Sequence, residues 1–322
     1  MAARAGTTIS FSSPREALKQ GLSAYQGGYY EIAIPALEYA AAGNEFMAEY
    51  YLARIYSDNN GSHTDHAKAY LLFQKIADEY AEIDPEDDPR ARYVGKALTA
   101  LAGYVRRGLK EIGLKPNPEL AVLYLHNASS TFDDEDAQFE FAKLRLTGEG
   151  VEEDRAMGLH WLSVLAERGH AGAQAFLADL LWRGKYIKAD QVMALALIDV
   201  AVQNAPVYER LWIEDIHQNI FCGAGEGIRR QATGIVASWG SRYGKKPETR
   251  EAAGIGMLTA SPERTCSNGE RVAPMRLDDE TALGSRPSQV TEGNEGRAGF
   301  VYGRSAPELR DVGGTSLQPS LR

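Results

Sequence analysis

Cysteine is nearly absent: the 322 residues contain two, Cys222 and Cys266, 44 positions apart. Two thiols cannot build a disulfide framework or a four-thiolate zinc site. A single bridge between them requires an oxidising compartment, and Cys266 falls in a stretch expected to lack fixed structure. Long apolar runs are missing as well. Without about 18 consecutive apolar residues, no segment is expected to cross a bilayer as a helix. Basic charge is in deficit, with 35 Lys and Arg against 44 Asp and Glu, a net −9. Broad nucleic-acid binding relies on a basic stripe, so no nucleic-acid partner is expected. The opening MAARAGTTISFSSPREALKQ contains no apolar core of the kind a secretory signal needs. It does hold Ala3-Arg4-Ala5, which has the small-x-small form of a signal cleavage site. As the residues read, the chain starts in the cytoplasm.

Catalytic patterns are missing too. There is no G-x-S-x-G, and neither cysteine has a histidine near it in sequence. Gly148-Glu149-Gly150 could suggest a phosphate loop, but such a loop follows a strand. Here a helix precedes it, and Glu149, Glu152, Glu153 and Asp154 would repel an anion. An inter-helix turn with Asp154 as helix cap is expected. His160 beside it is read as solvated or capping, and Trp161 as packing. GAGEG (223–227) departs from the dinucleotide fingerprint and is read as a turn before the last helix. Glu214 and His217 form one E-x-x-H, half of a di-iron motif; with no second copy, an exposed helix face is expected. His63 and His66 flank Thr64 and Asp65, either of which suits a helix cap. DPEDD (84–88) lacks the spacing and glycine of a calcium loop and reads as solvated charge. No catalytic residue, metal site or cofactor is expected, and no enzyme.

What the chain does contain is a repeat. AQFEFAKLRLTG (137–148) lies above AQAFLADLLWRG (173–184), with Ala, Gln, a large apolar residue and a final Gly in register at an offset of 36. AEYYLARIYSDN (48–59) and ALTALAGYVRRG (97–108) fit the same template, with Asn59 in place of the glycine; ALKQGLSAYQGG (17–28) fits more loosely. A second helical segment opens at Ala33, Ala69, Ala121, Gly158 and Ala194, at offsets of 36, 52, 37 and 36. The long offset holds two insertions, 82–89 and 110–118. Each unit cannot bury its apolar face alone and stacks on its neighbours. The expected fold is all-α: a solenoid of about five helix–turn–helix repeats over residues 15–244, ending in a capping pair at 207–221 and 226–242. Residues 1–14 are expected to be a flexible N-terminus. Residues 245–322, rich in Gly, Pro, Ser and Thr without a period, are expected to be a disordered tail. Positive and negative charges balance in that tail, so residues 1–244 carry the whole −9.

The pattern resembles the Sel1-like repeats, relatives of the tetratricopeptide repeats. Gly148, Gly150, Val151, Asp154, Trp161, Ala166, Gly169, Ala173 and Gln174 match the family's loop and second helix, while Gly158 stands where the family has Ala. The order of a stretched third unit, then ASSTFDDEDAQFEFAKLRLTGEG, then GHAGAQAFLADLL, is similar to the exopolysaccharide regulators of rhizobia and related alpha-proteobacteria. That resemblance implies an exported, periplasmic protein. It implies a partner, the periplasmic part of a sensor histidine kinase held inactive, and thereby control of exopolysaccharide synthesis and motility. The tail after Gly244 is outside the resemblance. A cytoplasmic scaffold of the same fold with other protein partners is the alternative that the residues leave open.

On the first helix of each unit, positions 1, 5 and 9 turn to the core, so positions 4, 7 and 11 point away together. Those positions hold Tyr51, Arg54 and Asp58; Gly103 and Arg107; Glu140, Lys143 and Thr147; Phe176, Asp179 and Arg183. Aromatic and Arg residues anchor interfaces. The expected protein-binding stripe is therefore Tyr51, Arg54, Arg107, Glu140, Lys143, Phe176, Asp179 and Arg183.

Overall fold

The computed structural model describes residues 10–243, apart from Asn60, Ala81 and Val207, together with residues 263–272. The described helices follow one another in pairs. They are α1 (Pro14–Gln26) with α2 (Tyr30–Ala42), α3 (Phe46–Ser57) with α4 (His66–Tyr80), and α5 (Ala91–Arg107) with α6 (Pro118–Ser130). Then come α7 (Glu135–Thr147) with α8 (Arg155–Glu167), α9 (Ala171–Arg183) with α10 (Gln191–Asn204), and a closing pair, α11 (Arg210–Gly223) with α12 (Glu226–Tyr243). The fold is an all-α repeat solenoid.

One short-range device recurs at the turn inside the third, fourth and fifth units. Gly108, Gly148 and Gly184 take φ values of 73°, 72° and 65° and stop the first helix in the conformation that a side chain disfavours. The chain then crosses to a polar cap: Asn117, Asp154 and Asp190 accept from the amides of Leu120, Met157 and Met193, each at 2.9 Å. The backbone N–H of the cap residue donates back to the first helix, to Val105, Arg145 and Leu181 at 2.8, 2.8 and 3.1 Å. All three acceptors occupy position 9 of the repeat. The second unit keeps this bond, Asp65 to Tyr56 at 2.9 Å, although it lacks the glycine; α3 ends instead in extended backbone at Asp58. Asp65 also caps α4 through Lys68 N at 3.0 Å. Thus a single polar residue closes both its own helix and the hairpin.

Small residues set how closely the units nest. Ala48, Ala53, Ala97, Ala137, Ala142, Ala173 and Ala178 are buried on the first helices, and Ala33, Ala69, Ala121 and Ala194 on the second. Leucines fill what remains; Leu101, Leu144, Leu162, Leu177 and Leu197 are almost wholly buried, each contributing about 2 kcal/mol. Gly158 occupies the alanine position of α8 for a local reason. A Cβ there would lie 2.9 Å from the Ala142 carbonyl oxygen of α7 and 2.9 Å from the Leu146 side chain. Gly158→Ala is therefore expected to lower unfolding free energy by about 1–2 kcal/mol, overpacking outweighing the roughly 1 kcal/mol gain in helix propensity. Denaturant titration checks this, and an unchanged or raised midpoint would show that α7 and α8 can separate at no cost.

Three expectations need correction. The flexible N-terminus gives way earlier than residue 14: the Phe11 ring stacks 5.3 Å from Tyr39, and Ser13 caps α1 through Glu16 N at 3.3 Å. Residues 1–9 lie outside the described residues. The tail is also not uniform. Residues 263–272 form a tight turn with an antiparallel bridge between Thr265 and Arg271, and Cys266 is disulfide-bonded to Cys222 on α11. A covalent link holds a short segment that could not bury enough apolar surface alone. The remainder of the expected tail lies outside the described residues. Finally, the face of α11 carrying His217 is not exposed. His217 is 2% exposed, and its Nε2 sits 2.7 Å from Oδ1 of Asp199 on α10, itself fully buried.

Candidate protein-interaction face

The stripe expected from the repeat lies along the first helices, and two pairs of its members join, Glu140 with Lys143 and Asp179 with Arg183. Positions 4 and 7 are half-buried, whereas Asp58, Arg107, Thr147 and Arg183 at position 11 are exposed. On α3, Tyr51 stacks on Tyr25 of α1 at 4.7 Å, and Arg54 Nη1 donates to the Tyr50 hydroxyl at 3.3 Å. Burial opposes the Arg54 charge. The phenols of Tyr50, Tyr25 and Tyr208 outweigh it, and its pKa stands above that of an ordinary arginine. On α7, Lys143 Nζ donates to Glu140 and stands 4.5 Å above the Phe139 ring. On α9, Phe176 meets Phe139 edge to face at 6.0 Å, and Arg183 Nε donates to Asp179 Oδ1 at 2.8 Å.

Arg106, not Arg107, makes the cross-helix contact: it lies 3.7 Å from Glu140 and 3.9 Å from Glu149. Arg107 is exposed. Both line a cavity of about 310 Å³ with His66, Tyr104 and Glu140, where His66 Nδ1 is 2.9 Å from the Tyr104 hydroxyl.

A second cavity, of about 360 Å³, opens where the N-terminal ends of α5, α7, α9 and α11 converge, and the stripe did not include it. Lys96, Asp134, Asp136, His170, Tyr208 and Glu209 line it. Asp134 caps α7 through Ala137 N at 2.8 Å and accepts from Thr99 at 2.9 Å. His170 caps α9 with Nδ1, which accepts from Ala173 N at 3.1 Å. That bond places the proton of a neutral ring on Nε2, which faces Asp136 Oδ1 at 3.1 Å. Lys96 Nζ is 3.7 Å from the other Asp136 oxygen. Burial would raise the Asp136 pKa, but the His170 bond together with Lys96 and Arg54 holds it below the usual carboxylate range. Burial and Asp136 push Asp134 upward.

Sequence reasoning could have found part of this cavity. Asp134 and His170 both stand three residues before the repeat's first alanine, which is the cap position, so the register pointed at them. Tyr208 and Glu209 belong to the closing pair, where the repeat template ends and no signal marks them.

Glu209 makes a pH prediction. Burial and the nearby Asp136 raise its pKa to about 7, with Glu140 adding to the effect while His170 and Lys143 oppose it. Between its unfolded value of about 4.3 and about 7, the folded state holds the extra proton. Stability must therefore fall as pH rises through that window. Glu209→Gln should remove this dependence and raise unfolding free energy at pH 8 by about 1–2 kcal/mol, after allowance for the partial solvent contact. Urea titrations at pH 5 and pH 8 test it; a variant that tracks the parent at both values would exclude Glu209 as the source.

The model of the Sel1 repeat matches residues 47–79, 95–130, 135–170 and 171–200, which correspond to α3 through α10. These four segments are similar to the Sel1 repeat. The pairs α1–α2 and α11–α12 fall outside the matched Sel1 segments and flank them. The chain is similar to the exopolysaccharide production negative regulator of Rhizobium meliloti (strain 1021), 29% identical over 221 residues, covering 69% of this chain and 80% of that protein. It is likewise similar to the exopolysaccharide production negative regulator of Rhizobium leguminosarum bv. viciae, 28% identical over 227 residues, covering 70% and 82%.

Two solved structures share the fold. One is a protective antigen of uropathogenic Escherichia coli displaying an SLR fold, with TM-score 0.52 and 18% identity. The match covers 88% of this chain and 51% of that one, so this chain spans about half the antigen's length. The other is a Sel1 repeat protein from Oxalobacter formigenes, with TM-score 0.51 and 19% identity, covering 75% and 90%. Among the described residues no helix is long and apolar enough to cross a membrane, and no group of three or more His, Cys, Asp or Glu is placed to hold a metal ion.

Proposed function

We propose that this chain is a non-enzymatic, protein-binding negative regulator of exopolysaccharide production. It acts outside the cytoplasm by holding the periplasmic domain of a sensor histidine kinase in its inactive state, and through that kinase it also governs motility. Sel1 repeats serve as scaffolds for protein interaction, and the two curated relatives are named for negative regulation of exopolysaccharide. The observation that carries the reading is the side of the first helices, where Arg54, Glu140, Lys143, Phe176 and the cavity beside His170 form one aromatic and charged surface across successive units. The Cys222–Cys266 bridge supports an exported location, because such bridges persist in oxidising compartments. The mechanism is stoichiometric: bound regulator stabilises the off state by its differential affinity for that state, and its loss turns signalling on.

The test is co-purification of the kinase's periplasmic domain with the intact chain and with a variant in which Arg54, Arg107, Lys143 and Arg183 are changed to Glu. Helical circular dichroism should be unchanged while capture of that domain falls at least tenfold. Equal capture by a folded variant moves the binding surface elsewhere. Cell fractionation supplies a second arm: a wholly cytosolic pool eliminates the kinase.

A further inference from the structure

The cavity at the N-terminal ends of α5, α7, α9 and α11 holds more negative charge than its own residues neutralise. Asp133, Asp134, Glu135, Asp136 and Glu209 share its lining with two cations, Arg92 and Lys96. Most of these acids are answered within the chain. Asp133 accepts from Gln138 Nε2 at 2.7 Å, Asp134 accepts from Thr99 and Ala137 N, and Asp136 stands against both His170 and Lys96. Glu135 lies in the first turn of α7, where the helix dipole favours an acid. Arg92 is drawn aside over the Tyr93 ring at 4.5 Å.

Glu209 is the exception. Among the described residues no N–H or O–H donates to its carboxylate and no cation pairs with it. The positive groups that act on it, His170 and Lys143, are engaged elsewhere, His170 with Asp136 and Lys143 with Glu140. Asp136 and Glu140 repel it. Arg54 acts on Asp136 and Tyr208 from α3, yet its Nη1 is given to the Tyr50 hydroxyl. The carboxylate is laid across the first turn of α9, where Gly172 leaves room for it: a Cβ there would lie 3.2 Å from Glu209 Oε1. A half-buried acid with no donor of its own, beside a second acid, is stabilised by a cation from outside.

The lining narrows what that cation can be. Helix starts attract anions, but Asp134 and His170 already cap α7 and α9, and the acids repel a further negative charge. A volume of about 360 Å³ is small for a cofactor and suits one long side chain. Tyr208, beside Glu209, is 68% exposed and offers a ring to a planar cation. A guanidinium meets all of this, since its fork bridges carboxylate oxygens while its plane stacks on an aromatic ring. An ammonium has no such plane.

We propose that this cavity seats an arginine side chain of the protein partner, its guanidinium between the carboxylates of Asp136 and Glu209 and against the Tyr208 ring. The inference rests on the protein-binding reading given above and deepens it, naming the group of the partner that enters and the residues that receive it.

The experiment is a charge swap. The kinase's periplasmic domain is titrated by calorimetry at pH 8 against the full chain and its Glu209→Gln and Glu209→Lys variants, with helical circular dichroism as the check on folding. Glu209→Gln should weaken binding about tenfold or more, as removal of one partner of a desolvated charge pair does, and Glu209→Lys should abolish it. Arginines of the domain are then changed to Glu one at a time. One such variant should lose affinity for the parent chain and regain it for Glu209→Lys. A folded Glu209→Lys chain that binds like the parent overturns the proposal, as does a complete set of arginine variants of which none is rescued. Should Glu209→Lys lose helicity, Glu209→Gln decides, and unchanged affinity overturns the proposal. A second arm needs no kinase: N-acetyl-arginine amide is titrated into the full chain while the Glu209 carboxyl carbon is followed by NMR. That signal should shift saturably, and N-acetyl-glutamine amide at the same concentration should leave it in place. If the domain does not bind the parent chain at all, the functional reading falls and this arm alone judges the cavity: a saturable shift upholds the arginine site, and a signal indifferent to the arginine probe removes it.

Discussion

Replacing His217 with leucine is expected to cost about 3–5 kcal/mol of unfolding free energy, because it strips a partner from a buried acid. Asp199 lies wholly inside α10, and His217 reaches it from α11 at 2.7 Å. Whether this pair adds net stability over an apolar replacement is a separate question, since desolvation of both groups offsets their attraction. The double variant Asp199→Leu/His217→Leu should therefore recover much of the loss, and the difference between the single and double variants measures the coupling. Denaturant unfolding of the parent, both single variants and the double gives the complete cycle. A His217→Leu cost below 1 kcal/mol would mean that α11 shifts and lets water reach Asp199, so the closing pair would not be rigidly docked.

Removing the disulfide is expected to be the other large effect. The bridge closes a loop with a sequence separation of 44, for which chain-entropy arguments give about 4 kcal/mol. Cys222→Ser with Cys266→Ser should lower the unfolding midpoint by a corresponding amount, and reductant should do the same to the parent while leaving the double variant unmoved. Loss should concentrate in α11 and α12, which hydrogen exchange reads directly as faster exchange there than in α5 to α8. Uniform loss across the solenoid would show that the bridge acts only on the unfolded chain. No loss at all would show that the two thiols are not joined in the folded protein.

The interior of the solenoid was legible because it repeats. Alanines at fixed offsets, glycines at position 12 and Asp154 before its helix each satisfy a short-range rule, and the same rule returns several times. Even the odd Gly158 follows the template, although its cause, the Ala142 carbonyl 2.9 Å from a would-be Cβ, belongs to packing. The exposure along the expected stripe was legible only in part: position 11 is exposed, whereas positions 4 and 7 are half-buried. Which neighbours those side chains find was not legible. Arg106 and Arg107 are adjacent in sequence, and only the lean of α5 against α7 decides that Arg106 meets Glu140. Likewise the E-x-x-H of α11 looked like a solvated face because nothing in residues 210–223 reveals that Asp199 waits on α10.

The sequence by itself determined the helices, their pairing and the order in which pairs stack, since each follows from periods and caps acting within about one repeat of chain. The tertiary structure alone decided what lies between distant segments. It places Glu209 and Asp136 in the lining of one cavity, buries His217 on Asp199, and brings Cys266 to Cys222 so that residues 263–272 of a tail without any period lie on α11. Those contacts join residues with no shared register, so no local pattern encodes them, and only the accumulated geometry of stacked hairpins brings them within bonding distance.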